Sequence, residues 1–272
     1  MFKLTQAASA PSGAAAALPL WRSAEAEAQP SPVTGSGAHS GRAVIGPVAA
    51  LLLADVAPAA RLWGWSRIVR GSRPLRREPG LRWARVMGSG HGGGFGLRPS
   101  ASHQGVFAVF DDLDAARAFV QRSACVAAYR ERSAECLTAL LQPWSARGRW
   151  GGQGLEVPAL AAAPQGPVVA LTRASIRPLK AWPFWAMAPA AQASLLQAPG
   201  CTLAAGLGEA PLLRQCTVSL WDSVAAMDAY ARSGAHLAAV RAAAAHGFFS
   251  ESMFLRFRLL AIEGRWQRRQ HG

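Results

Sequence analysis

The chain is expected to be an α+β protein made of two fused ferredoxin-like repeats, and three observations predict this. Residues 168–176 (VVALTRASI) match 48–56 at an offset of 120, aligning Leu51 with Leu171, Ala54 with Ala174, Pro58 with Pro178 and Trp65 with Trp185. Further on, Phe119/Tyr230, Cys125/His236, Ala128/Ala239 and Arg130/Arg241 align at an offset of 111. Each half reads β-α-β-β-α with room for a closing strand, the order of the ferredoxin-like unit. One such unit leaves a sheet face bare. Two in one chain are expected to lay sheet against sheet, or to close a barrel with helices outside.

Residues 1–46 are Ala, Ser, Pro and Gly with few large apolar side chains, which predicts a disordered tail. The first repeat, 47–150, opens on the strand 47–56 (PVAALLLADV). A helix at 59–69 carries Leu62, Trp63, Trp65 and Ile68, and a basic loop at 70–80 is broken by Pro74 and Pro79. A strand at 81–87, a glycine loop at 88–96 and a strand at 106–110 follow, then a long helical region from Asp112 to Leu141. Residues 151–167 form a Gly/Pro/Ala linker. The second repeat, 168–267, runs strand 168–176, a Trp-rich helix 178–197, strand 201–205, a Gly206-x-Gly208 segment and strand 215–221. Asp222 and Ser223 are good helix N-caps, and Val224, Met227 and Tyr230 recur at helical spacing. Ser233-Gly234 interrupts that helix, and a second one runs from about Ala235 to Gly247.

Composition narrows the function. Hydrophobic content of 51% with 16% charge describes a globular protein, and 272 residues can bury a sizeable core. The net charge of +14 is almost all Arg. It suits nucleic acid, an anionic membrane surface or anionic cofactor groups, and GC-rich coding also produces it. No zinc finger, RNP signature or helix-turn-helix pattern accompanies it, so no nucleic-acid partner is expected. Cys125, Cys136, Cys201 and Cys216 lack metal spacing and read as reduced thiols of a cytoplasmic protein. No apolar run reaches the roughly 20 residues a membrane span needs. Paired carboxylates, GxSxG and HExxH are all missing, which leaves hydrolase and glycosidase chemistry without support. Redox chemistry on an embedded cofactor needs few polar side chains, because the cofactor carries the reaction.

His236 is the leading candidate ligand. It falls in the first turn of a helix, where the dipole disfavours imidazolium and keeps the ring in the neutral, metal-ligating form. Its counterpart Cys125 is a small thiol, so only the second half would hold a cofactor; a merely packed histidine is the plainer alternative. Gly88-Ser89-Gly90-His91-Gly92-Gly93 satisfies GxGxxG after a strand, yet another strand follows where a dinucleotide site needs a helix. A flexible loop shared by both repeats fits better. His91 and His103 are surface candidates, and His246 suits a helix C-terminus. Ten Trp residues serve either core packing or a long apolar pocket. Arg173 and Arg177, where a strand gives way to a helix, are the best-placed cations for a carboxylate.

Several strings together resemble one family. They are Met87-Gly88-Ser89-Gly90, Arg147-Gly148-Arg149-Trp150-Gly151, Leu171-Thr172-Arg173-Ala174 with Arg177-Pro178, and Gly206-x-Gly208-Glu209 with Pro211. Gln215 to Asp222, Gly234-x-His236, Arg241, Phe248-Phe249-x-Glu251 and Arg256-Phe257-Arg258 complete the set. In this order, over about residues 48–267, they resemble the spheroidene monooxygenases, the acyclic carotenoid ketolases of purple bacteria and their relatives. The resemblance implies a fused, dimeric α/β-barrel-like fold. It implies a haem (heme b) monooxygenase inserting oxygen from O₂ at C-2 of acyclic carotenoids, of the spheroidene to spheroidenone type. A reduced ferredoxin-type iron–sulfur protein would supply electrons. His236 would be the axial ligand, Arg173 and Arg177 propionate or pocket-rim cations, and the aromatic-rich interior the polyene slot. A long polyene dissolves only in the bilayer, so peripheral contact with the inner membrane through the Arg-rich stretch 61–85 is expected. His91, and Gly93 or Gly94, depart from the family pattern in the glycine loop, a difference that bears on which substrate is used more than on the cofactor. The rival expectations are a non-catalytic haem or apolar-ligand binder and a cofactor-free monooxygenase.

Overall fold

The computed structural model describes residues 46–157, 163–210 and 212–272, so the expected tail lies outside the described residues apart from Gly46. The first repeat contributes β1 (Val48–Val56), α1 (Arg61–Arg70), β2 (Leu81–Gly90), β3 (Pro99–Phe110), α2 (Leu113–Arg122), α3 (Ala124–Arg132) and β4 (Ser133–Gly148). The second contributes β5 (Val168–Ile176), α4 (Ala181–Leu196), β6 (Cys201–Ala210), β7 (Arg214–Trp221), α5 (Val224–Ala231), α6 (Gly234–Ala245) and β8 (Phe249–Trp266). A short β9 (Arg269–His271) turns back on the end of β8.

Strand order is β4-β1-β3-β2-β6-β7-β5-β8, and β8 pairs with β4, closing an antiparallel ring of eight strands. Each half holds the ferredoxin-like order 4-1-3-2, so the duplication seen in the sequence is a duplication of fold. The two seams between the halves differ sharply. β4 and β8 pair along their length, from Leu137↔Gly264 to Gly148↔Met253. β2 and β6 meet at two positions only, Gly88↔Gly208 and Ser89↔Leu207, where the Ser89 hydroxyl also donates to the Gly206 carbonyl.

Both strand faces are covered, so β1 reads as a continuous apolar run rather than an alternating one. Ala49, Leu51 and Leu53 point into the barrel. Val48, Ala50, Leu52 and Ala54 point outward, beneath the first repeat's helices. The lumen is solid. Trp150 stacks on Phe107 at 5.7 Å and 12°, Trp83 and Phe257 pack edge-on or tilted against Phe107, and Trp266 is 1% exposed. This corrects the expectation of a polyene slot in the aromatic-rich interior: those rings are the core.

Two element expectations also change. The helical region predicted to reach Leu141 stops at Arg132, and Ser133–Gly148 is a strand. Ala134 to Leu141 has good helix formers, but Leu137, Ala139 and Leu141 alternate into the lumen while β1 and β8 satisfy the backbone on both edges. The glycine segments are not simply loops, because Gly88, Gly90, Gly206 and Gly208 sit within β2 and β6. The strands leave the long seam at Gly148 (φ +86) and Gly264 (φ +114). A side chain there would strike the Ser252 and Cys136 carbonyl oxygens respectively, so each copy's β-strand is locked against the other by the same device.

Candidate functional site in the second repeat

The two helical layers are built from equivalent residues, and they are filled differently. In the first, the buried Tyr129 hydroxyl donates to Gln104 Oε1 at 2.9 Å, and its ring meets Trp63 edge-on at 4.9 Å. Arg67 reaches over to Cys125, with Nη2 at 3.2 Å from Sγ. In the second, Val240, Pro183 and Met187 stand in the places of Tyr129, Trp63 and Arg67. The consequence shows in burial: α3 buries Val126 and Tyr129, whereas α6 buries none of its residues. One copy packs its last helix onto the sheet with an aromatic; the other leaves that helix underpacked.

His236 occupies the first turn of α6, at the edge of this looser layer. Its ring lies 4.8 Å from that of Tyr230, which lies 5.1 Å from buried Trp221. The Tyr230 hydroxyl donates to the Ala191 carbonyl of α4 at 3.3 Å, fixing the ring that backs the imidazole. Burial pushes His236 below the ordinary imidazole value and Tyr230 up to about 12, so His236 is neutral at neutral pH. Among the described residues no side chain hydrogen-bonds the His236 ring. The neighbouring residues of α6 are mostly Ala. A neutral imidazole of this kind has a ring nitrogen that could hold a metal ion. Among the described residues no three His, Cys, Asp or Glu converge on a point that could hold an ion.

Arg173 and Arg177 are not brought together with His236. On β5, Arg173 shares the inward face with Val169 and Leu171, and it is 3% exposed, on the other side of the sheet from α6. Its guanidinium is already neutralised, with Nη1 at 2.5 Å from Glu251 Oε2 and Nη2 at 3.5 Å from Glu209 Oε2. Arg177 is exposed, and its backbone N–H and Nε–H donate to the Phe248 and Phe249 carbonyls, beyond the far end of α6. Ten residues of helix, about 15 Å, separate that point from His236.

What surrounds Arg173 is a closed polar cluster that the sequence motifs did not assemble. Glu209 also accepts from Trp150 Nε1 at 2.8 Å and pairs with Arg85 Nε at 3.1 Å, across the thin seam. Glu251 accepts the backbone N–H groups of Gly151 and Gly152. Those two donors and Arg173 hold its carboxyl below the usual carboxylate range, outweighing its desolvation. The available signal was the repeat itself: Leu53 in one copy becomes Arg173 in the other, and a buried cation demands carboxylates in the same copy.

A cleft of about 430 Å³ opens outside the barrel between α4 and the connection from β2 to β3, lined by Phe95, Leu97, Trp185, Ala188, Pro189 and Gln192. The Phe95 backbone N–H donates to Gln192 Oε1 at 3.2 Å, and Phe95 packs with the second repeat's helical layer. Gln192 faces this cleft while Ser194, about 200° further round the helix, faces Gly234 at the start of α6. The cleft and His236 thus flank α4 on opposite sides. His91 is exposed. His103 is part-buried, bonded to Ser100 and 3.5 Å from Asp55. The four cysteines are free thiols, and burial raises the pKa of each, so none is poised as a nucleophile.

Strand order and the asymmetric helical layers define the class: a single-chain, duplicated ferredoxin-like α/β barrel with one copy specialised. Comparison with known proteins supplies the particular family. The chain is 57% identical over 227 residues to the spheroidene monooxygenase of Rubrivivax gelatinosus, covering 84% of this chain and 88% of that protein. It is 39% identical over 224 residues to the spheroidene monooxygenase of Rhodobacter capsulatus, covering 81% and 93%. It belongs to the spheroidene monooxygenase family. No protein-family model matches the chain. Among solved structures, a putative monooxygenase from Lactobacillus acidophilus covers 80% of this chain and 95% of its own at 12% identity and a TM-score of 0.34. An anthrone oxidase-like protein matches with 13% identity and a TM-score of 0.29. Overlaps this loose carry no argument, and the fold stands on its strand order.

Proposed function

We propose that this protein is a carotenoid monooxygenase that would bind haem in the helical layer of the second repeat, with a ring nitrogen of His236 as the donor holding its iron. It would oxidise acyclic carotenoids at C-2, as the spheroidene monooxygenase resemblance implies. The observation that carries the reading is the unequal packing of the two layers. His236 stands where the first repeat has Cys125, and Val240, Pro183 and Met187 have replaced the bulky set that fills the first copy. Haem, when bound, supplies activation of O₂, with electrons from a reduced ferredoxin-type iron–sulfur protein.

This chain's residues hold and orient. His236, neutral because burial disfavours its charged form, presents a ring nitrogen as a donor. Tyr230 backs the ring and, through the Ala191 carbonyl, ties it to α4. The cleft beside Phe95, across α4 from His236, is aromatic and aliphatic with Gln192 as its main polar group, and would hold a stretch of the methyl-branched polyene remote from the carbon that reacts. Arg173, paired with Glu209 and Glu251, fixes the end of the barrel. The enzyme would work at the cytoplasmic side, peripheral to the inner membrane; among the described residues no helix is long and apolar enough to cross a membrane.

The test is reconstitution. Purified protein with added haemin should show a Soret band at one haem per chain, and His236→Ala should abolish or shift it while the urea-unfolding midpoint stays. Co-expression with an acyclic carotenoid pathway should yield a 2-keto product with the parent and not with the variant. Unchanged haem stoichiometry and spectrum in His236→Ala would refute the ligand assignment, and ketocarotenoid made by iron-free protein would refute haem dependence.

A further inference from the structure

Three segments lie on the outer side of the thin seam. Ile68 of α1 sits against Gly88 of β2, and Gly88 pairs with Gly208 of β6. The connection between β2 and β3 folds over Gly206 of β6 and is bonded to Gln192 of α4. The segments are 58–77, 88–104 and 177–200, and together they contain nine Arg or Lys and no Asp or Glu. A chain with 15 acidic residues has placed none of them here. Arg61, Arg70, Arg73, Arg76 and Arg77 are exposed, and none makes an ion pair with another described residue.

The same segments carry the largest apolar side chains left in water. Leu62 is 89% exposed and Val69 83%, with Trp65 half exposed between them, at helical spacing on α1. Leu179 is 95% exposed and Trp182 82% at the start of α4, and Leu97 is half exposed on the connection between. Lone exposed apolar residues need no explanation, but a cluster ringed by cations does. Trp and Leu seat among lipid headgroups and upper acyl chains, while Arg neutralises anionic phosphate.

We infer that this face, formed by α1, the start of α4 and the β2–β3 connection, docks the enzyme on an anionic phospholipid bilayer. Charge complementarity selects that occupant over a second copy of this chain, whose own face would be equally cationic. The inference rests on the carotenoid reading for its purpose: the cleft beside Phe95 and Leu97 opens in this face, so docking would bring it to the phase in which a polyene is dissolved.

The test uses the full chain and carotenoid-free vesicles, one set of phosphatidylcholine alone and one containing phosphatidylglycerol. The parent should co-float with the anionic vesicles and not with the neutral ones, and high salt should weaken binding. Arg70→Gln/Arg73→Gln/Arg76→Gln should lower the partition coefficient by about a hundredfold, and Leu62→Ser/Trp182→Ser by at least about tenfold. All five side chains are exposed, so circular dichroism and urea midpoints should match the parent. Equal partition of parent and both variants would overturn the assignment, as would failure of the parent to bind either vesicle. A monomer–dimer equilibrium in lipid-free buffer that Leu62→Ser/Trp182→Ser abolishes, without vesicle binding, would assign the face to a second copy and also overturn it. Haem uptake is read separately in lipid-free buffer, so a negative flotation result leaves the monooxygenase reading standing.

Discussion

Tyr129 and Val240 occupy equivalent places in the two repeats, and the exchange removes a phenol ring and its hydrogen bond to Gln104 from one helical layer. The difference can be reversed by one substitution. Val240→Tyr should refill the layer and lower haemin affinity by at least about tenfold while changing stability by no more than about 1 kcal/mol, since Val240 is only partly buried. Titration of the Soret band against urea-unfolding midpoints checks it, and undiminished haem uptake would show that the ligand lies elsewhere.

The imidazole of His236 makes stability pH-dependent. Its folded-state pKa is lowered by burial, so between that value and the unfolded value near 6.5 the unfolded chain binds more protons. The stabilising contribution is complete above about pH 6.5 and is lost as the pH falls through the window below. In haem-free protein, the difference in unfolding free energy between pH 7.5 and 5.5 should therefore be smaller in His236→Leu than in the parent. An identical pH slope in the two proteins would mean that the ring is solvated.

Arg173 should matter to stability and not to haem. Arg173→Leu restores the residue of the first repeat, Leu53, but leaves Glu209 and Glu251 facing each other at the barrel end. A cost of about 3 kcal/mol is expected, the low end for a broken buried pair because both carboxyls are partly exposed. Arg173→Leu/Glu251→Gln should recover part of it, and the Soret band of whatever remains folded should be that of the parent.

Gly264→Ala should be far more damaging than Gly92→Ala. Both residues have positive φ, but a methyl group at Gly92 meets nothing, whereas at Gly264 it strikes the Cys136 carbonyl across the long seam. The expected losses are about 1 kcal/mol at Gly92 and at least about 3 kcal/mol at Gly264, measured by urea denaturation. Similar losses would mean that the long seam yields to small displacements.

The duplication was legible because equivalent strands and helices kept one offset each, as in Leu51/Leu171 and Phe119/Tyr230. Strand β4 was not, since Ala134 to Leu141 has helical composition and its extended form is imposed by β1 and β8, partners distant in sequence. Gly88 and Gly208 looked like loop residues for the same reason: their strand character comes from pairing with each other across the closure of the barrel. The ion-pair setting of Arg173 was partly legible, because part of the signal was local. The alternation Val169, Leu171, Arg173 already put it on an apolar face, where a guanidinium needs buried carboxylates before it can serve a ligand. His236 was singled out by its helical turn and its mismatch with Cys125; the looser packing around it is a property of three residue pairs seen only once both layers are built.

Among the described residues the rings of Trp83, Phe107, Trp150, Phe257 and Trp266 are buried in the middle of the barrel. If the cleft beside Phe95 holds the polyene as proposed, libraries for new specificities should be drawn from the outer shell, at Phe95, Leu97, Ala188 and Gln192. Randomising the centre would return mostly insoluble clones.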